Sequence, residues 1–154
     1  MPQEAKMKFY PLPPMLFFFS IIMITMASIA DLTPISRPEY LTWAGWFLIV
    51  AGMAFCYSGS ILFNRLRANI STFKDPNKLV VSGPFRISRN PMYVGMVAAL
   101  LGTTLVGATY VGIGFLLLFI MIVATVYIPF EEGRMIAIFG EEYEEYCSKV
   151  RRWL

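Results

Sequence analysis

The chain predicts an all-α integral membrane protein with about four transmembrane helices and a C-terminal amphipathic cytoplasmic helix. Three observations carry that expectation. Hydrophobic residues make up 57% of the sequence and the mean hydropathy is +0.61, far above what a soluble domain needs to fill its core. Charge-free runs extend from Phe9 to Ala30, from Tyr40 to Asn64 and from Asn90 to Phe130. After Pro129 the pattern changes to an amphipathic one rich in glutamate.

One bilayer crossing takes about 20 apolar residues, so the first two runs suit one span each and the third suits two. Backbone polar groups in hydrocarbon must be satisfied within the segment, and a chain this short and continuously apolar points to helices rather than a barrel. The third run has to turn, and Val106-Gly107-Ala108-Thr109-Tyr110 is its least helix-loyal stretch. The expected spans are therefore 12–30, 41–63, 91–105 and 110–129 in a single membrane domain, 1–154. Segments 78–95 and 130–154 are left on the cytoplasmic side.

Pro11, Pro13 and Pro14 with Phe17, Phe18 and Phe19 mark the start of span one, and Trp43 and Trp46 read as interfacial anchors of span two. Gly95 and Ala99 form a small-residue pair suited to close approach of a neighbouring helix. Beyond Pro129, Met135, Phe139, Tyr143, Tyr146 and Val150 recur at helical spacing while Glu141, Glu142, Glu144 and Glu145 fall elsewhere. Gly140 weakens or bends that helix, costing about 1 kcal/mol relative to alanine. Its apolar stripe is expected on the membrane surface or over the cytoplasmic mouth of the bundle.

Arg65, Arg67, Lys74, Lys78, Arg86 and Arg89 face a single acid, Asp75, in the loop after span two, whereas the loop from Asp31 to Glu39 carries Arg37 alone as its basic residue. The positive-inside rule makes the basic loop cytoplasmic and, with four spans, both termini too, in agreement with Lys6, Lys8, Arg151 and Arg152. The expected location is a bacterial-type inner membrane. The region from Ala27 to Ala30 lacks a convincing cleavage context, so a signal peptide is not expected. The net charge of +3 reflects topology and gives no reason to expect a nucleic-acid partner. With no histidine and two isolated cysteines, Cys56 and Cys147, no Cys/His metal centre is expected either. Charge-free spans also argue against ion pumping or proton-coupled transport.

Chemistry concentrates at Leu79 to Gly95, a polar junction between apolar blocks. Asn90 is a favoured helix N-cap and Pro91 a favoured first residue, leaving the Met92 and Tyr93 amides free beside Arg86 and Arg89. That combination suits a carboxylate or phosphate, although the same arginines also serve as topology markers. Ser82-Gly83-Pro84 turns the extended Leu79-Val80-Val81 segment against the helix start. Glu131 and Glu132 leave span four on the same side as Arg89, either as ligands for hydroxyls, cations or protons or as solvated residues at a helix start.

Ser82-Gly83-Pro84-Phe85, Arg89-Asn90-Pro91-Met92-Tyr93-Val94-Gly95, Glu131-Glu132, Phe139-Gly140, Tyr143, Tyr146 and the basic terminus occur in this order over Lys78 to Leu154. Together they resemble the isoprenylcysteine carboxyl methyltransferase and phospholipid methyltransferase group of membrane enzymes. The resemblance implies S-adenosyl-L-methionine bound at the cytoplasmic face, with Leu79, Val80, Val81 and Ser82 on its adenine side and Asn90, Pro91, Tyr93, Glu131 and Glu132 around it. It implies catalytic roles for Arg89 and Glu132 and substrate or tail contacts for Arg86, Lys149, Arg151 and Arg152. Members commonly carry histidine where this chain has Asn90, an amide that donates hydrogen bonds but cannot ionise. Eukaryotic members carry proline at the position of Arg151.

The implied partners are membrane lipids and a lipophilic acceptor, either a prenylcysteine-like carboxylate or a lipid amine, handled by a monomer or homodimer. A carboxylate arrives ionised and needs a cation to place it, whereas an amine arrives protonated and needs a base, so the lack of histidine leans toward the carboxylate. Two other readings are a sterol-type reductase using NADPH and a non-enzymatic lipid-binding scaffold whose basic loop meets anionic headgroups. Gly112-Ile113-Gly114 lies inside a span and is no dinucleotide fingerprint.

Overall fold

The computed structural model describes residues 12–68 and 76–154. Lys6, Lys8, Lys74 and Asp75, used above to orient the chain, lie outside the described residues. Helix α1 runs over Pro13–Ile29, α2 over Glu39–Leu66, α3 over Pro91–Gly107 and α4 over Tyr110–Ile122. A π-helical turn, Val123–Tyr127, joins α4 to α5, Ile128–Phe139, and α6 covers Glu141–Lys149. A 3-10 turn, Gly83–Arg86, precedes α3, and no strand occurs among the described residues.

Two of these rods, Glu39–Leu66 and the continuous Tyr110–Phe139, are long and apolar enough to cross a membrane. Helices α1 and α3 have 17 residues each, which at 1.5 Å per residue gives about 25 Å against a hydrocarbon core of about 30 Å. The turn expected at 106–110 is where α3 ends. Ala108 adopts the left-handed conformation, and the Thr109 hydroxyl accepts the Gly112 amide at 3.0 Å to start α4.

Pro129 does not end the fourth rod, contrary to the expected boundary. Proline removes one amide and crowds the carbonyl four residues earlier. The wide turn at Val123–Tyr127 occupies that stretch, and the helix continues for another ten residues to Phe139. The expected amphipathic helix is likewise two helices. Gly140, at φ +50 and ψ −125, takes a conformation open chiefly to glycine and separates α5 from α6. Helix α6 buries Tyr143 and Tyr146 against the protein and exposes its four glutamates.

Helix α2 is turned outside in. Its buried residues are Gly45, Gly52 and Gly59, one per seven, while Trp43 and Phe47 are 69% and 71% exposed. A soluble helix would bury the aromatics, so this outer face is one that lipid covers. The glycines meet α3 running the other way. A Cβ on Gly52 would stand 2.5 Å from the Gly95 carbonyl oxygen, and one on Gly45 would stand 2.8 Å from that of Gly102. Backbone therefore packs on backbone, as in close membrane helix pairs. The Gly95 and Ala99 pair read from the sequence is one side of this seam, and Gly45, Gly52 and Gly59 are the side that reading missed.

Helix α1 packs on α3 and α4 through Phe17 and Ile24, and the core continues through Leu100, Phe119, Val123, Tyr127 and Ile128. At the far end, the segment before α2 is tied to the α3–α4 turn. The Ile35 amide donates to the Ala108 carbonyl at 2.7 Å, and the Tyr110 amide donates to that of Thr33 at 3.1 Å. Arg37 donates through Nε and Nη2 to the carbonyls of Leu105 and Val106, where a cation also complements the negative end of α3.

Candidate active site

At the opposite end of α3 the 3-10 turn tucks Phe85 beneath α2, edge-on to Phe63 with ring centroids 5.3 Å apart. The Phe85 carbonyl accepts the Tyr146 hydroxyl at 2.6 Å, which pins α6 over the junction. Between these elements opens a cleft holding about 880 Å³ of atom-free space, part of it continuous with solvent. Its walls are Leu79, Val80 and Phe85 on one side, Tyr143, Tyr146 and Met135 on another, and Arg89, Asn90, Pro91 and Tyr93 at the start of α3. Glu131, Glu132 and Arg134 project from α5, and Lys78 closes the rim with Phe63, Pro76 and Met92.

The charges are organised around Glu132, which is only 9% exposed. Arg152 grips its carboxylate with two donors, Nη2 to Oε2 at 2.6 Å and Nε to Oε1 at 3.2 Å. Arg89 Nη1 lies 3.3 Å from Oε1 and also donates to the Cys147 thiol. Two arginines flank this deeply buried carboxylate, and loss of one partner from such a buried pair costs about 3–5 kcal/mol. Burial works against the charge of Arg89, but Glu132, Cys147 and Tyr143 outweigh it and hold the guanidinium above the usual arginine range. Arg89 Nε is buried with no acceptor among the described residues. Burial chiefly pushes the Tyr143 phenol up and takes that of Tyr146 up to about 12, so both are neutral donors at ordinary pH.

Glu131 has a different setting. Its Oε1 accepts the Tyr93 hydroxyl at 3.0 Å, linking α5 to the first turn of α3. Asn90 occupies the N-cap position, but its side chain makes no cap hydrogen bond, contrary to expectation. Instead Nδ2 donates to the Arg152 carbonyl at 3.0 Å, and the Asn90 amide donates to Ser88 Oγ at 3.0 Å.

Of the residues singled out in the sequence, Leu79, Val80, Arg89, Asn90, Pro91, Tyr93, Glu131 and Glu132 border the cleft. Val81, Ser82, Arg86, Lys149, Arg151 and Arg152 are not among its lining residues. Val81 is exposed at the turn, and Lys149 pairs with Glu145 on the outer surface of α6. Arg151 contributes its main chain, whose carbonyl accepts the Arg89 amide at 2.9 Å. Arg152 reaches the site through its side chain on Glu132 and through its carbonyl, which accepts Asn90 Nδ2. Lys78, Phe85, Met135, Tyr143 and Tyr146 line the cleft without having been assigned to it. Met135, Tyr143 and Tyr146 stood on the apolar stripe of the terminal segment, and the two tyrosines also stood among the motifs that carry the resemblance. Cys147 carried no such signal. Both cysteines are free, and no cluster suited to a metal ion occurs among the described residues.

The chain is 26% identical over 120 residues to a probable protein-S-isoprenylcysteine O-methyltransferase of Oryza sativa subsp. indica, and equally to that of Oryza sativa subsp. japonica. The alignment takes in 75% of this chain but 61% of the length of these curated relatives. No solved structure shows significant similarity. The phospholipid methyltransferase family model matches residues 40–142, which include α2, the junction, the cleft carboxylates and the start of α6. Over two helices apolar enough to span a bilayer and the cleft between their ends, the chain belongs to the phospholipid methyltransferase family.

Proposed function

We propose that the protein is an S-adenosyl-L-methionine-dependent methyltransferase that works at the cytoplasmic face of a membrane on a lipophilic acceptor. The observation that carries this reading is the cleft itself, in which cationic, anionic and aromatic groups meet at the mouth of an apolar bundle. The donor set fits the cofactor. Arg89 keeps one buried donor without an acceptor among the described residues, suited to the cofactor's carboxylate. The Glu131 and Glu132 oxygens suit its ammonium group and ribose hydroxyls, and Leu79, Val80, Phe85 and Tyr146 offer flat apolar surface for a base.

When bound, the cofactor supplies a methyl group activated on a sulfonium. The chain's own part is alignment and exclusion of water. Displacement at a sulfonium spreads and then removes charge, so a site of low polarity that holds both reactants in line lowers the barrier by sparing solvent reorganisation. Tyr143 and Tyr146, neutral and buried, wall the cleft without competing as ions.

A carboxylate acceptor, ionised with a pKa of about 3.5, needs a cation to hold it, which Arg89 or Arg134 provides. A lipid amine arrives protonated and needs a base, for which Glu131 and Glu132 are the candidates. The reading includes four crossings with both termini cytoplasmic. The antiparallel course of α1 to α4 supports it, the roughly 5 Å shortfall of α1 and α3 being met by local thinning of the bilayer.

Titration calorimetry of the purified protein in nanodiscs with S-adenosylhomocysteine tests the proposal. Saturable binding is the expected result, and its absence would sink the reading. Labelling a lipid extract with methyl-tritiated cofactor then identifies the acceptor.

A further inference from the structure

The last residues of the chain lie outside the cleft yet are bound to it at four places. The Arg151 carbonyl accepts the Arg89 amide at 2.9 Å, and the Arg152 carbonyl accepts Asn90 Nδ2 at 3.0 Å and Ser88 Oγ at 3.3 Å. The fourth tie is the two-pronged grip of the Arg152 side chain on Glu132. The first three ties use main-chain acceptors, and Trp153 packs against the hydrophobic core. The tail therefore stays docked whatever side chain stands at 152.

What the Arg152 side chain adds is orientation. Two parallel donors fix the plane of a carboxylate as a single cation cannot. Fixing Glu132 in turn fixes the point that Arg89 Nη1 approaches at 3.3 Å. An exposed arginine in an ion pair usually contributes little, and the Arg152 side chain is 47% exposed. Here its partner carboxylate is 11% exposed and faces the cleft, so the geometry of the pair is passed inward.

We infer that Arg152 is a positioning residue: it holds the Glu132 carboxylate, and through it the Arg89 guanidinium, in register with the cleft, so that the C-terminal tail completes the site. This rests on the cleft being the cofactor site. The tail arginine touches neither cofactor nor acceptor and acts only through Glu132. The chain thus divides its paired glutamates, Glu132 serving as a fixed counter-charge and Glu131, oriented by Tyr93, facing the ligand.

The experiment is a double-mutant cycle of Arg152→Gln and Glu132→Gln, read as S-adenosylhomocysteine affinity by calorimetry alongside the thermal midpoint and the kcat and KM of methylation of a lipid extract. Arg152→Gln is expected to weaken affinity roughly tenfold, the scale on which orienting partners act, with the fold retained. Arg152→Lys, which keeps the charge but not the fork, is expected to recover only part of that loss. In the Glu132→Gln background, Arg152→Gln is expected to add nothing, because the interaction it serves is already gone. Should Glu132→Gln abolish binding outright, the lysine variant decides: full recovery by Arg152→Lys would reduce Arg152 to a neutralising charge and overturn the inference. Equal losses in both backgrounds, or unchanged affinity with a lowered thermal midpoint, would overturn it as well. If the wild-type protein binds no S-adenosylhomocysteine, the functional reading fails first; if it binds and the cycle is additive, the positioning role alone fails.

Discussion

Helix α3 carries an arginine at each end, and the two live by opposite rules. At the C-terminal end, Arg37 meets two free carbonyls where the helix dipole is negative, so geometry and field favour the same cation. At the N-terminal end, Arg89 sits beside Pro91, where the dipole is positive and opposes a cation, and Glu132, brought in from α5, offsets that repulsion. The first end is closed and internally satisfied. The second is held together by groups from α5, α6 and the tail and keeps a buried donor without an acceptor among the described residues. Local unfavourable electrostatics compensated from a distance are a mark of sites kept for chemistry rather than for stability.

The sharpest way to break this contrast is Arg89→Ala. It is expected to lower turnover and S-adenosylhomocysteine affinity by about thirtyfold or more, since truncating one member of a buried charge pair costs about 2–5 kcal/mol. The fold should survive, as shown by an unchanged helical signal. Equal turnover would remove Arg89 from the machinery. Next in size is Gly52→Leu, in the seam between the two ends. Forcing a side chain against the Gly95 carbonyl should cost about 1–3 kcal/mol or more and lower the thermal midpoint in detergent. An unchanged midpoint would mean that α2 and α3 do not meet as described.

Arg37→Ala tests the closed end. It should cost about 1–2 kcal/mol of thermal stability by uncapping α3 and leave S-adenosylhomocysteine affinity within about twofold. A tenfold loss of affinity would show the two ends to be coupled. The smallest effect is expected from Tyr146→Phe, which removes one hydrogen bond to Phe85, about 1 kcal/mol. It also makes a pH signature. The phenol is raised in the folded state to about 12, so its contribution is complete below the unfolded value near 10 and is lost as pH rises through 10 to 12. The wild type should therefore lose stability over that interval more steeply than the variant, and identical alkaline profiles would contradict the buried hydroxyl.

The helices were legible because membrane segments announce themselves by missing charge, and the ends at Asn90-Pro91 and Val106 to Tyr110 because proline, glycine and capping residues punctuate them. Pro129 misled because its cost depends on the preceding turn, which widened to accept it. The amphipathic stripe of the terminal segment was readable, but its division at Gly140 was a matter of backbone angle. At the cleft, Arg89, Tyr93 and the two glutamates stood out as polar groups at helix ends. The partnership of Glu132 with Arg152 did not, because pairing across a loop and a tail leaves no periodicity. Cys147 against Arg89 was hidden for the same reason. Asn90 was read as a cap because nothing in the sequence says that a carbonyl of the tail competes for its amide.

The glycine seam has one more consequence. Side chains that pack must first give up rotamers, but glycine has none to surrender, so Gly45, Gly52 and Gly59 lower the side-chain ordering cost of joining α2 to α3. The bulky residues of α2 are meanwhile left on the outside, free to change rotamer against acyl chains. The protein thus keeps rigidity at its axis and leaves mobility at its rim, and lipid tails do for α2 what a core does for a helix in water.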